Sequence, residues 1–262
     1  MRMTAGRPLL PALLALGLLA GLPAAAGAQQ VDAEQEYLAC LQLARSAPDD
    51  ALASAESWEN QGGAGPARHC KAVALARLGR FAEAAELLER LVDEVPPRMR
   101  GGVLTQAGQA WLMADEAERA FRAQSRALEA DPDNVELLID RSITLAGIER
   151  FWEAIDDLNR AFDLAGPRAD ILIYRATAYR FVEAFDLAME DVNRALQLDP
   201  NHPEGLMERG ILRYQEGDVR GARADWQAVV DVAPNTPAAV AAKENLWRTE
   251  NTGGAPALGS GG

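Results

Sequence analysis

The chain has 262 residues, with 26 Lys and Arg against 39 Asp and Glu for a net charge of −13, and it carries two cysteines and two histidines. An acidic chain cannot neutralise phosphates or release their counterions, so a nucleic-acid partner is excluded, as is attraction to anionic lipid head groups.

Met1 to Ala28 reads as a secretory signal peptide. Arg2 and Arg7 supply the positive start, Leu9 to Leu22 the apolar run interrupted by Pro11, and Ala26-Gly27-Ala28 a small-residue cleavage site before Gln29. A membrane anchor is the alternative, but the run is broken by proline and ends in small residues. No twin arginine is present, and no cysteine follows the cleavage site to accept a lipid. The expectation is an exported protein without stable membrane insertion after cleavage, in a periplasm or secreted. Loss of Arg2 and Arg7 takes the net charge from −13 to −15, which serves the solubility of an extended surface.

Residues 29–64 form a weaker two-helix pattern, with Leu38 and Ala39 on a first helix and Ala51, Ala55 and Trp58 on a second. Pro48, Asp49 and Asp50 suit the start of that second helix, since proline is tolerated in a first turn and acids favour its positive end. The run Gln61 to Pro66 then breaks it. From Gly65 a second-helix start is clear at Gly79-Arg80-Phe81, followed by Leu87, Leu88, Leu91 and Val92 at helical spacing, and Pro96 and Pro97 are expected to end that helix. Met99 and Arg100 are a two-residue insertion. Gly101 and Gly102 open the next segment, where the superhelix is expected to bend.

The remaining chain repeats every 34 residues. One alanine recurs at Ala84, Ala120, Ala154, Ala188 and Ala222, a small residue at Ala72, Gly108, Ser142, Ala176 and Gly210, and a breaker at Pro96, Pro132, Gly166, Pro200 and Pro234. Chance alanines would not bring the terminator into phase as well. These residues resemble the tetratricopeptide repeat over 65–236, with the large first-helix residue at Leu104, Leu138, Leu172 and Leu206. The aromatic before the second helix falls on Phe81, Phe151 and Phe185, with Ala117 and Val219 as departures. The resemblance implies an all-α, right-handed solenoid of helix pairs whose concave face holds a peptide or protein, and no chemistry. The units are then 65–98, 101–134, 135–168, 169–202 and 203–236, with 29–64 a degenerate terminal repeat, 237–250 a capping helix and 251–262 a disordered tail.

In this register Cys40 and Cys70 fall on the first helices of adjacent units, which pack side by side in the family, so an exported chain is expected to join them by a disulfide. Two buried free thiols are the alternative. A metal site using His69 has no ligand cluster to support it. At the seventh and twenty-third positions, three units read Arg141 with Asp157, Arg175 with Asp191, and Arg209 with Asp225, while the unit before reads Ala107 with Ala123. Charge at both places or neither marks structural ion pairs between helices, because a lone charge there is costly.

Positions 2, 5, 9, 12 and 13 of each first helix lie on the face expected to line the groove. They give Thr105, Gln109, Leu112 and Met113; Ile139 and Ile143; Ile173, Thr177, Arg180 and Phe181; and Met207, Ile211 and Tyr214. That face suits a partner with apolar anchors, unless these side chains pack against the neighbouring first helix instead. Glu136, Asp170, Glu204 and Glu208 at its edge favour basic flanks on the partner. A carboxylate clamp, which needs several cations, does not fit with Arg180 alone.

No phosphate loop, dinucleotide fingerprint or His-Glu-x-x-His is present, and His202 lies in a turn between units. The expected function is a non-catalytic interaction scaffold of the cell envelope, without cofactor or metal. The alternative is an envelope enzyme cleaving wall glycan through acidic groove residues.

Overall fold

A computed structural model describes residues 25–251, with side chains from residue 33 onward. Among these residues there are thirteen α-helices and no strand. In chain order they are α1 Ala25–Ser46, α2 Pro48–Trp58, α3 Ala64–Arg77, α4 Phe81–Leu91, α5 Pro97–Met113, α6 Ala117–Ala130 and α7 Val135–Gly147. Then come α8 Phe151–Ala165, α9 Ala169–Phe181, α10 Phe185–Leu198, α11 Pro203–Gln215, α12 Val219–Val232 and α13 Pro237–Asn251. Each helix packs chiefly on its neighbours in sequence, giving an all-α solenoid of two-helix units. The leader expected over 1–28 lies outside the described residues except for Ala25–Ala28, which open α1, and 252–262 of the expected tail lie outside as well. No helix among the described residues is long and apolar enough to cross a membrane.

Within the units from α3 to α12 the two helices are joined by three residues, which forces them antiparallel. Phe81, Ala117, Phe151, Phe185 and Val219 begin the second helices. The middle of each three-residue turn takes a left-handed backbone: Gly79 (φ 75°), Asp115 (61°), Glu149 (59°), Glu183 (61°) and Gly217 (88°). Only glycine, which has no Cβ to crowd the following carbonyl, adopts this without strain.

The recurring alanines 84, 120, 154, 188 and 222 have no exposed surface. They let the helices approach closely enough for apolar side chains from α3 to α9 to merge into one cluster around Trp111, and for α9 to α13 to share a second around Trp226. Where the small first-helix residue is glycine, the second helix answers with a large one. A Cβ at Gly108 would stand 2.9 Å from Gln124 Cγ.

One local expectation is corrected. Pro97 does not end α4, which stops at Leu91; it opens α5, where proline's missing N–H costs nothing and its fixed φ suits a first turn. The Met99-Arg100 insertion and Gly101-Gly102 are therefore absorbed into a 17-residue helix. The glycine run after Trp58 does break the helical path, since Gly62 (φ 95°) and Ala64 (φ 43°) both leave helical geometry. Glu59–Gly63 makes one wide turn with Gly62 at φ 95°, and a Cβ at Gly63 would meet the Trp58 ring at 2.7 Å.

Candidate interaction groove

The ion pairs fix the wall behind the groove. Arg141 donates from Nε and Nη2 to both oxygens of Asp157 at 2.7 and 2.6 Å, and Arg175 does the same to Asp191 at 2.7 and 2.8 Å. Arg209 reaches Asp225 at 3.0 and 2.7 Å, and Arg213 adds a bond to the same carboxylate. Each aspartate is buried. The third donor of Arg141 bonds Ser125 Oγ and that of Arg175 bonds Asn159 Oδ1, both on the second helix of the preceding unit. Each of these two arginines thus holds its own hairpin closed and tethers it to the one before.

On the first-helix face, Gln109, Leu112, Met113, Ile143 and Phe181 are exposed, with Met113 at 63% and Phe181 at 52%. Phe181 stacks on Phe151 at 4.6 Å, and the Arg180 guanidinium lies 4.4 Å from the Phe181 ring centre. Thr105, Thr177, Arg180, Met207, Ile211 and Tyr214 are half-buried. Thr105 spends its hydroxyl on the Gly101 carbonyl, and Tyr214 leans on Trp226 at 5.7 Å.

Ile139 and Ile173, expected on the groove, are buried at 5% exposure. Consecutive first helices touch, and the fifth residue is driven into that contact: a Cβ at Gly205 of α11 would stand 3.3 Å from Ile173 Cδ1.

The four edge carboxylates already have cationic or histidine neighbours. Arg168 bonds both Glu136 and Asp170, His202 faces Glu204, and Arg180 bonds the buried Glu208. Hydrogen bonds from Arg168 hold Asp170 below the usual carboxylate range despite partial burial. Asp140, between them, moves the other way: burial first, then the nearby Glu136, raise its pKa against a hydrogen bond from Gln109. Tyr174 is raised by burial and by the charges of Asp170, Glu204 and Asp140.

A sizeable hollow lies where the repeat pattern is weakest. A cleft of about 830 Å³ opens between α1, the start of α3 and the start of α5, lined by Tyr37, Pro66, His69, Met99, Val103 and Gln106 among others. Gln106 Oε1 can only accept, so His69 Nε2–H donates to it at 2.8 Å, and Nδ1 is left to accept from Tyr37 Oη–H at 2.9 Å. Burial lowers the His69 pKa, outweighing the Gln106 bond. Beside it Cys40 and Cys70 form a disulfide, with Cα atoms 6.2 Å apart. Groove positions counted only from α5 onward missed this cleft. Positions 2 and 5 of α3, Pro66 and His69, were the available signal. Among the described residues no group of three or more His, Cys, Asp or Glu side chains could hold a metal ion.

Residues 175–246 match the tetratricopeptide repeat family. Solved structures share the fold at low identity. The C-terminal part of a TPR repeat-containing protein from Cytophaga hutchinsonii is 14% identical with a TM-score of 0.63, the match covering 82% of this chain and 89% of that one. MamA from Desulfovibrio magneticus RS-1, residue 41 to its end, is 18% identical with a TM-score of 0.59, covering 66% and 97%. YrrB, described as a TPR protein with an unusual peptide-binding site, is 16% identical with a TM-score of 0.55, covering 72% and 96%. No curated protein sequence matches the chain.

Proposed function

We propose that this protein is a non-catalytic scaffold of the cell envelope that holds a peptide or a segment of a partner protein along its first-helix face. The observation that carries the reading is the set of exposed apolar side chains, Leu112, Met113, Ile143 and Phe181, on three successive first helices, of which α7 and α9 are locked from behind by ion pairs. A row of flexible and aromatic groups on a rigid wall suits apolar anchors of varied sequence. The solenoid likeness to YrrB, a peptide binder by description, is consistent with it. The Cys40–Cys70 disulfide and the leader-like start support export, because such bonds persist in oxidising compartments. Basic flanks on the partner receive less support than the sequence alone suggests, since the edge acids have cationic or histidine neighbours.

The test is selection of binding peptides from a random display library, repeated with Leu112→Ser/Ile143→Ser/Phe181→Ser. Apolar-anchored peptides should bind the parent and lose at least about tenfold in affinity for the variant, with the far-UV circular dichroism unchanged. Peptides that bind both proteins equally would place the site elsewhere.

A further inference from the structure

Helix α13 continues the repeat register one step further. Counting from Pro237 as position 1, Val240, Lys243, Glu244 and Trp247 occupy positions 4, 7, 8 and 11, the face that in every earlier unit lies against its own second helix. In α13 that face is open: Val240 is 66% exposed and Trp247 63%, whereas Trp111, at the same position of α5, has no exposed surface. The opposite face, with Ala239, Ala242 and Thr249 buried, is spent on α11 and α12.

What covers the open face is constrained by position 8. Elsewhere it holds Ala72, Gly108, Ser142, Ala176 or Gly210, so that a second helix can come close; here it holds Glu244. A following second helix of the usual kind would press on a charged side chain, and residues 252–262, with five glycines and a proline, are poor helix formers. The stripe is instead complementary to itself. If two α13 helices lie antiparallel about a two-fold axis passing between residues 243 and 244, Val240 of each meets Trp247 of the other. Lys243 of each then meets Glu244 of the other. One register satisfies the apolar and the charged pairs together, as a closed two-fold interface requires. Lys243 has no ion-pair partner within the described chain, while Glu244 has only the exposed Arg248 one turn on.

We propose that the protein forms a two-fold homodimer through the outer face of α13, leaving the first-helix groove of each copy open. Sedimentation velocity on the purified protein, from about 1 to about 200 µM, should show a reversible monomer–dimer equilibrium. Trp247→Glu and Lys243→Glu should each raise the dissociation constant by about tenfold or more. Lys243→Glu/Glu244→Lys should restore dimerisation, because exchange of the two charges rebuilds both pairs. Since all three side chains are exposed, thermal melts should match the parent at low concentration. A protein that stays monomeric throughout, a dimer indifferent to Trp247→Glu, or an exchange variant no better than Lys243→Glu would overturn the proposal.

Discussion

Gly210 and Trp226 interlock: a Cβ built at residue 210 would come within 2.4 Å of the indole Nε1, which no side-chain shift of a few tenths of an ångström relieves. Gly210→Ala should therefore destabilise the protein by about 1–3 kcal/mol through overpacking. Adding Trp226→Leu should recover part of the loss, since Leu88 and Leu158 serve at that position beside Ala72 and Ser142. Urea denaturation of the single and double variants measures both.

Arg175 and Asp191 form the pair with the least exposed arginine, with side chains 12% and 8% exposed. Asp191→Ala strands a half-buried guanidinium and should cost about 3–5 kcal/mol, whereas Arg175→Met/Asp191→Leu should lie within about 2 kcal/mol of the parent because neither charge is left behind. Glu83→Ala, which removes only an exposed pair with Arg80, should leave the stability almost unchanged. Equal losses for the aspartate and the glutamate variants would contradict the assigned roles.

Glu149 and Glu183 hold left-handed backbones with exposed side chains. Glycine there removes the clash but loosens the unfolded chain, so Glu149→Gly and Glu183→Gly should each stabilise by about 0.5–1 kcal/mol. Asp115→Gly should behave alike. A fall in melting temperature for all three would show that the turn strain is offset elsewhere.

His69 is held below its ordinary pKa by burial, so the unfolded chain binds its proton more readily than the folded one. Stability from this group is complete above about pH 6.5 and is lost as pH falls below that value. His69→Gln keeps a donor and an acceptor for Tyr37 and Gln106 without titrating. The gap in unfolding free energy between about pH 7.5 and pH 5.5 should be smaller in the variant than in the parent. An identical gap in both proteins would remove His69 as a contributor.

Much of this architecture was legible because its constraints recur. Alanines at one position, small residues at a second and helix breakers at a third share one period, and paired Arg and Asp appear or vanish together. The groove was less legible. A helical wheel sorts residues by face but does not register that consecutive first helices touch, which is why Ile139 and Ile173 disappear into the interior while Ile143 and Phe181 stay outside. The cleft beside His69 was hidden for another reason: the glycine run between α2 and α3 interrupts the helical path, so the groove positions were not counted back through it. Asp115, Glu149 and Glu183 give no sign in sequence of their unusual backbone, since each looks like an ordinary solvated acid.

No arginine–aspartate bridge joins α5 to α6, where Ala107 and Ala123 stand in place of Arg and Asp. The chain is consequently fastened by different joints along its length: a disulfide near its start, chiefly apolar contact between α5 and α6, and buried arginine–aspartate pairs toward its end. A reductant, a chaotrope and concentrated salt should each loosen a different stretch first, giving the rod a built-in order of fraying.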